Sequence, residues 1–401
     1  MKHKKWMAMA LAGFLFLGGC GQSRKTEGSV SEKSAVSSGA LTTEDLKKTV
    51  AYNEGTEVAA PDGTKYYKNT GTFYDTFDTI IQVTAYTGSE EEFKEIVEYA
   101  HTEFQRLHKL YDNYNSYDGE INIDTVNQKA GKEAVKVNAD LFSCVQFAVD
   151  NYDRTLGKVN IAMGPVLRLW HDVRDRVGYV TEDGEKTNAE KATAADLPTQ
   201  EQLEEANRHT DIHKVKLDEA NQTIFLEEEG MSLDLGAVGK GYATQIVADK
   251  LKEKGLTSGI INAGGNVKTI GLPVDGRDHW TVAISNPRPV KEAVAATVEV
   301  GSDASIVTSG DYQRYFEVDG KRYHHIIDPA TLQPGGAYPS VSIMTEDSGM
   351  ADMLSTAFFL STKEEVETIR RNFSSVPVEV VWIGEDGIAE ATSGIHNLVQ
   401  K

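Results

Sequence analysis

The chain has 401 residues, a formal net charge of −20 and 40% hydrophobic residues. This length is enough for one large domain, or for two closely packed halves, with a sizeable core. The strong negative charge argues against nonspecific nucleic-acid binding and against adhesion to anionic lipid through a basic surface. We therefore expect no nucleic acid among the partners of this protein.

The N-terminus has the pattern of a bacterial export signal. A lysine-rich start over residues 1–5 precedes an apolar run over residues 7–17, which is too short to span a bilayer by itself. The run ends in Leu-Gly-Gly-Cys at Cys20 and resembles the lipobox of bacterial lipoproteins, which are cleaved before a lipidated cysteine. The alternative is an ordinary signal peptide with a chance cysteine.

This pattern divides the chain into three parts. We predict a lipoprotein signal peptide over residues 1–19, with lipidation of Cys20, and a flexible tether over residues 20–64 that is rich in Ser, Lys, Glu, Gly and Thr. Residues 65–401 form the folded domain. The expected location is the extracytoplasmic face of the cell membrane, reached through the lipid anchor only. Cys144 then has no partner for an intramolecular disulfide.

The folded part places groups of strands between helices. Apolar residues at helical spacing predict helices over residues 91–110, 141–152, 199–210, 243–251 and 348–360. Alternating or β-branched runs predict strands over residues 73–85, 215–217, 223–226, 280–284, 315–318, 322–326 and 341–344, and one that begins at Ile260. Because the strands come in runs, the pattern favours an α+β fold over a doubly wound parallel sheet.

The most informative segment is DLGAVGKGYA, residues 234–243. Its glycines let the backbone approach a ligand, and the helix that follows presents unpaired N–H groups to an anion. It fails as a P-loop, because Asp234 stands where the first glycine is needed and Gly241 stands where Ser or Thr would hold magnesium. Two interpretations stay open: an anion-binding turn with Lys240 as a point charge, or a plain strand-to-helix turn with a surface lysine.

Asp352, Ser355 and Thr356 lie on one side of the predicted helix over residues 348–360. A carboxylate with hydroxyls suits a hard cation such as magnesium. The alternative is that Asp352 only compensates the dipole at the start of the helix.

His324 and His325 are neighbours in the predicted strand over residues 322–326, so we expect them to point to opposite faces. One of them would face a cleft as a general base. The alternative is a surface histidine pair near the turn at Asp328-Pro329.

Together these segments resemble the ApbE family of bacterial FAD:protein FMN transferases. The matching segments follow the family order and are GTFYDTFDT, DNYNS, NIAMGPVLRLW, DLGAVGKGYA, INAGGN, SGDYQRYFEVDGKRYHHIIDP and ADMLST, within residues 70–360. The resemblance implies an α+β fold of mixed or antiparallel sheets with packed helices and a FAD cleft between two halves. It also implies Mg²⁺-dependent transfer of the FMN half of FAD onto a Thr or Ser hydroxyl of a target protein, with release of AMP.

The resemblance assigns roles to individual residues. It makes the carbonyl of Ala237 and the side chains of Asp352, Ser355 and Thr356 the magnesium ligands. It makes His325 the base that deprotonates the acceptor hydroxyl. The FAD contacts that it implies are Thr70, Tyr114, Val159, Asn160, Asp234, Lys240 and Ile327, with Tyr114 stacking near the flavin or the adenine.

Some positions depart from the family pattern. Thr70 replaces a frequent Met, and Asn160 replaces an Asp, which weakens an acidic role there. The expected partner is a protein with a D-x-x-[ST]-G-A-[ST]-like acceptor motif. Residues 38–41 of this chain, Ser-Gly-Ala-Leu, lack the acceptor hydroxyl, so self-modification there is not expected. The alternatives are a Mg²⁺-dependent FAD pyrophosphatase that gives FMN and AMP, and a non-catalytic lipoprotein that stores or delivers FAD.

Overall fold

A computed structural model describes residues 50–179, 192–288, 293–395 and 398–400. The predicted signal peptide, Cys20 and most of the predicted tether lie outside these ranges. The helices are α1 (Glu90–Tyr111), α2 (Ile123–Gln128), α3 (Ala139–Asn151), α4 (Gly164–Val177), α5 (Gln200–Asn207), α6 (Gly239–Glu253), α7 (Ser348–Phe359) and α8 (Lys363–Asn372). Within the described ranges, none of them is both long enough and apolar enough to cross a bilayer.

The strands fall into one large sheet and three small ones. They are β1 (Ala51–Tyr52), β2 (Thr56–Ala59), β3 (Lys65–Thr76), β4 (Thr79–Thr87), β5 (Val135–Lys136), β6 (Val215–Asp218), β7 (Thr223–Leu226), β8 (Gly259–Ala263), β9 (Asn266–Ile270), β10 (Trp280–Ser285), β11 (Val294–Val300), β12 (Ser305–Gly310), β13 (Phe316–Val318), β14 (Lys321–Tyr323), β15 (Ser340–Thr345), β16 (Glu379–Ile383), β17 (Ala389–Ala391) and β18 (Val399–Gln400).

The large sheet runs in the order β1-β3-β4-β8-β9-β12-β15-β16-β17, with β2 paired to β3. The small sheets are β10-β11-β18, β5-β7-β6 and β13-β14. Every pairing between named strands is antiparallel, for example Ile261 opposite Lys268 and Val307 opposite Ile343. This arrangement confirms the predicted α+β class.

The large sheet has an apolar core on each face. Because side chains alternate along a strand, Ile261 and Val380 belong to the core beneath α1, α6 and α7, whereas Ile260 and Val381 belong to the core beneath β10 and β11. A third cluster joins α4 to β13 and β14, where the Trp170 indole N–H donates to the Leu332 carbonyl at 2.9 Å. The cleft described below lies where this third cluster meets the first.

Helices α6 and α7 approach closely at Gly241. A Cβ at this position would lie 2.2 Å from the Ser348 carbonyl oxygen and 2.4 Å from Cβ of Asp352. Gly241 is thus required by helix packing, and it brings the segment over residues 234–243 against the helix that carries Asp352.

Three predictions about elements need correction. The single strand predicted over residues 73–85 is a hairpin, β3–β4, with left-handed residues Phe77 (φ 55°) and Asp78 (φ 49°) in its turn. Strands β1 and β2 lie within residues 50–64, so part of the predicted tether belongs to the fold. They join the sheet through the backbone of β3, which composition does not reveal. His324 and His325 follow the end of β14, and no strand alternation separates them.

Candidate functional site

The cleft has a volume of about 570 Å³, which lies within the usual range for small-molecule sites. Segments far apart in sequence line it, and they are the β3–β4 turn, the loop after α1, the start of α4, the segment over residues 234–240, the end of β12, the segment after β14, and α7. The sequence motifs thus converge on one cavity.

Asp352 forms the floor of the cleft and is 5% exposed. Its Oδ2 accepts a hydrogen bond from the Gly241 N–H at 2.7 Å. Burial raises the pKa of this carboxyl, while Lys240 and the Gly241 N–H act in the opposite direction. A buried carboxylate with this little compensation favours a bound cation.

The contact between Asp352 and Gly241 also changes the start of α6. In a regular helix the Gly241 N–H would bond to the carbonyl of Ala237, four residues earlier. Here it bonds to Asp352, and the Ala237 carbonyl accepts no hydrogen bond from any described residue. Oγ1 of Thr356, on the next turn of α7, is likewise without a hydrogen-bond partner in those ranges.

These oxygens fit magnesium. A carboxylate, a free carbonyl and a free hydroxyl are the hard ligands that Mg²⁺ takes, usually together with water and substrate phosphates. They do not form a cluster of His, Cys, Asp or Glu, and the described part of the chain contains no group of three or more such side chains that could hold a metal.

Ser355 does not line the cleft, which corrects its predicted position. Its hydroxyl is buried, donates to the Asp352 carbonyl at 2.8 Å and lies 2.8 Å from Oγ of Ser309. Ser309 does line the cleft. Ser355 and Thr356 lie on either side of Asp352 and are about 100° apart around the helix axis. Ser355 is on the side that faces β12, so its side chain supports the cleft wall from behind.

Thr70 lies away from the cleft as well. It is in the middle of β3, and its Oγ1 lies 2.7 Å from Oγ1 of Thr84 on β4. Strand β3 reaches the cleft only at its end, through Phe77 and Asp78 in the hairpin turn. The structure therefore gives Thr70 a role in strand pairing.

His325 faces the same cavity from the segment after β14. Its Nδ1 is buried and has no hydrogen-bond partner among the described residues. Burial, followed by the cations Arg314 and Arg174, holds its pKa well below the ordinary value of 6.5, so the imidazole is neutral at pH 7. A neutral imidazole that lines a cleft can accept a proton at the ring nitrogen that carries no hydrogen.

His324 lines the same cleft, which corrects the expectation that the two histidines point to opposite faces, but its hydrogen bonding differs. Its Nδ1 accepts the Ile326 N–H at 3.2 Å, and its ring packs edge-on against Phe359. Burial lowers its pKa to about 4. Only one of the two histidines therefore has a free buried ring nitrogen.

Asp234 and Tyr114 form one wall. Oδ2 of Asp234 accepts from the Tyr114 hydroxyl at 3.2 Å and from the Asn113 amide at 3.0 Å, while Oδ1 accepts the Gly236 N–H at 2.8 Å. Desolvation and then the charge of Asp234 raise the pKa of Tyr114, which keeps it a hydrogen-bond donor. The Arg168 guanidinium lies 4.7 Å and the His171 ring 4.2 Å from the centre of the Tyr114 ring, and Tyr114 remains 37% exposed, so part of its ring is open for stacking.

The other predicted contacts also line the cleft. Val159 and Ile327 are buried apolar residues in its wall. Asn160 uses its side chain within the fold: its amide donates to the Thr210 carbonyl, and its Oδ1 accepts the Ala162 N–H at 2.9 Å. Lys240, at the start of α6, faces the cavity and has no ion-pair partner in the described ranges.

Several basic residues of the cleft were not identified from the sequence. They are Lys158, His171, Arg174 and Arg314. His171 and Arg174 continue the helical face of Leu167 and Trp170, so extending the Gly-Pro motif by one helical turn would have indicated them. Arg314 donates to the Asp78 carbonyl at 2.9 Å and links the segment before β13 to the β3–β4 turn.

Comparison with known proteins places this architecture in a family. The ApbE family profile matches residues 77–380. The chain is 33% identical over 257 residues to the FAD:protein FMN transferase of Klebsiella pneumoniae (strain 342), covering 64% of this chain and 73% of that protein. It is 33% identical over 288 residues to the FAD:protein FMN transferase of Treponema pallidum (strain Nichols), covering 69% of this chain and 74% of that protein.

A solved structure agrees with the sequence match. The crystal structure of the ApbE protein from Thermotoga maritima MSB8 superposes with a TM-score of 0.67 at 26% identity, covering 82% of this chain and 97% of that chain. The family match, the two curated relatives and the shared architecture together show that the chain belongs to the ApbE family.

Proposed function

We propose that this protein transfers the FMN half of FAD onto a Thr or Ser hydroxyl of an acceptor protein, with release of AMP and with a requirement for Mg²⁺. One observation carries the proposal: a cleft of nucleotide size brings the free oxygens around Asp352 together with the free Nδ1 of His325. The transferase names of the curated relatives support it.

The carboxylate of Asp352, the carbonyl of Ala237 and the hydroxyl of Thr356 would hold Mg²⁺. When bound, the ion would neutralise the pyrophosphate of FAD and the charge that develops on the leaving group. Lys240 adds a fixed positive charge at the same end of the cleft. The Gly241 N–H keeps Asp352 in place through its hydrogen bond.

His325 acts as the base. Its neutral imidazole takes the proton of the acceptor hydroxyl, whose oxygen attacks the phosphorus of the FMN phosphate. The bond from this phosphorus to the bridging oxygen breaks, and AMP leaves with that oxygen. The lowered pKa keeps His325 unprotonated before the reaction.

The remaining wall binds the dinucleotide. The Tyr114 ring offers a stacking surface, and Asp234 orients the tyrosine through its hydroxyl. Val159 and Ile327 give apolar contact. Asn160 shapes the turn that holds Val159 in the wall.

We also propose that lipidation of Cys20 holds the enzyme at the extracytoplasmic face of the membrane, where it meets an acceptor with a D-x-x-[ST]-G-A-[ST]-like motif. The acidic surface, with a net charge of −20, leaves the lipid as the membrane contact. Replacement of Cys20 by Ala would move the protein from the membrane fraction to the soluble fraction.

To test this proposal, the purified protein is incubated with FAD, Mg²⁺ and an acceptor that carries the motif, and the mass of the acceptor is measured by mass spectrometry. We expect a mass increase of one FMN, lost with EDTA and lost when the acceptor hydroxyl residue is changed to Ala. Bound FAD without any mass increase would contradict the transfer. Free FMN in its place would identify a pyrophosphatase.

A further inference from the structure

Arg174 is a cation in the cleft with no anionic partner. It lies on α4, faces the cavity, and has no carboxylate within ion-pair distance among the described residues. Its buried Nε makes no hydrogen bond there. A guanidinium that is partly desolvated and unpaired is costly unless a ligand completes its bonds.

The side chain is nevertheless held in one orientation. Its Nη2 lies 2.6 Å from Nδ1 of His171, and Nε2 of the same ring lies 3.3 Å from Asp175. With Nε2–H directed at the carboxylate, Nδ1 is the acceptor, and Arg174 donates to it. This chain of three residues fixes Arg174, whose guanidinium carbon also lies 5.5 Å from the centroid of the Tyr179 ring. No hydrogen bond from its Nη1 group to a described residue is present, so this group and the second N–H of Nη2 can donate to a ligand.

Arg174 lies on the Tyr114 side of the cleft. Its hydrogen-bond partner His171 packs against the Tyr114 ring, with the ring centroids 4.2 Å apart, and all three residues line the cavity together with His325. The charges of Arg174 and of Lys240 both lower the pKa of His325. The surroundings of His325 are therefore positive, which favours an anion there.

We propose that Arg174 contacts a phosphate oxygen of the bound flavin dinucleotide, with His171 as its positioning residue. This inference rests on the proposed function, since it takes FAD as the ligand. The planar guanidinium can donate two parallel N–H groups to one phosphate, whereas the ammonium group of Lys240 acts as a point charge. The pyrophosphate would then lie between Lys240 and Arg174, with its phosphorus atoms near His325.

A carboxylate of the acceptor protein would also offer anionic oxygens to Arg174, but we favour a phosphate of the dinucleotide as its ligand. Arg174 is half-buried in the wall formed by α4, close to Tyr114, so it belongs to the part of the cleft that the substrate fills before an acceptor arrives. A measurement of FAD binding in the absence of an acceptor distinguishes these two candidate ligands of Arg174.

The experiment measures equilibrium binding of FAD and of riboflavin, which has no phosphate, to the full mature protein without acceptor. We expect Arg174→Gln to weaken FAD binding about ten- to hundredfold and to leave riboflavin binding within about twofold. Arg174→Lys should recover part of the loss, because it keeps the charge without the planar pair of donors. Arg176→Gln is the matched control, since Arg176 lies on the same helix, contacts Asp196 and does not line the cleft.

Three outcomes would overturn the inference. Equal losses for FAD and riboflavin would give Arg174 a structural role. Unchanged FAD binding with a raised KM for the acceptor would assign Arg174 to the acceptor. If the wild-type protein bound no FAD, the proposed function itself would fail, and this inference with it.

Discussion

Among the described residues, the buried Nδ1 of His325 has no hydrogen-bond partner, and the carbonyl oxygen of Ala237, a half-buried residue of the cleft lining, accepts no backbone hydrogen bond. An unsatisfied buried polar atom costs about 1–3 kcal/mol. Such atoms are rare in native proteins and call for an explanation, which is commonly a ligand or a reaction. Both lie where the proposed reaction needs a base and a metal ligand.

Replacement of His325 by Ala tests the base. We expect the transfer rate to fall by about 10²- to 10⁴-fold, with FAD affinity changed by less than about threefold, because the side chain acts on the acceptor proton. Single-turnover kinetics and equilibrium FAD binding give the two values. The neighbouring His324→Ala is the control, because Nδ1 of His324 is already bonded to the Ile326 N–H.

The pH profile gives an independent test of the same residue. Since burial and nearby cations hold the pKa of His325 well below 6.5, the free enzyme keeps its neutral base under mildly acidic conditions. The decrease of kcat/KM on the acid side, the acid limb, should therefore have its midpoint below pH 6.5. This limb should be absent from the His325→Ala variant. A limb at or above pH 6.5 would argue against His325.

Asp352→Asn tests the metal site without removing the fold contact. The amide oxygen of Asn can still accept the Gly241 N–H, but the charge is lost. Because burial raises the pKa of Asp352, its ionised form destabilises the metal-free fold, so the variant should match or exceed the wild-type Tm in EDTA. The increase in Tm that Mg²⁺ gives together with FAD should be lost, and the rate of FMN transfer should fall by at least about 10²-fold. A wild-type metal response in this variant would exclude Asp352 as a ligand.

At the scale of elements, Gly241 couples α6 to α7. Gly241→Ala would place a methyl group against the Ser348 carbonyl and Asp352, so the helices must separate. We expect a loss of about 1–3 kcal/mol in the free energy of unfolding, measured by urea titration, together with weaker Mg²⁺ dependence. Gly301→Ala is the control, because its Cβ would meet no atom within 4 Å. Equal stability of the two variants would contradict the packing argument.

Most helices and strands could be predicted from the sequence. The predictions failed where backbone conformation or backbone hydrogen bonding, and not the side-chain pattern, determines the element. Helices α1 and α6 follow directly from apolar spacing, and the hairpin β6–β7 from its short β-branched runs. The β3–β4 turn was missed, because Phe77-Asp78 lacks the glycine or asparagine that usually adopts positive φ. Strands β1 and β2 were missed, because they bury little apolar surface.

The family and its transferase class were predicted from motifs and are confirmed. The motifs also led to Asp234, Lys240 and Asp352, which the fold brings to one cleft. Arg174 was missed, because the motif ends at Trp170 and the charged turn beyond it resembles a solvent-exposed helix face. Only the packing of α4 against the segment after β14 turns that face toward the cleft. The assigned roles of these residues stay predictions.

For the whole molecule, a ligand that bridges the cleft should stabilise the fold. FAD with Mg²⁺ would connect Tyr114, Lys240 and Asp352, which lie on separate elements. At a ligand concentration of about 100 times Kd, we expect about 2.7 kcal/mol of added stability, seen as a raised Tm. FAD with EDTA should give a smaller shift and riboflavin the smallest. A Tm that does not change at high FAD concentration would mean that FAD does not bind preferentially to the native protein, which would contradict the proposed cleft.

The order of residues around the cleft has a consequence for biogenesis. The lining begins at Phe77, in the β3–β4 turn, and ends at Thr356 on α7, close to the C-terminal end of the fold. A chain that emerges N-terminus first therefore has neither Asp352 nor the packing partner of Gly241 until its last quarter is released. A chain that ends before α7 lacks Asp352 and Thr356 of the cavity, so capture of flavin would report that the chain has been made and folded at least through this helix.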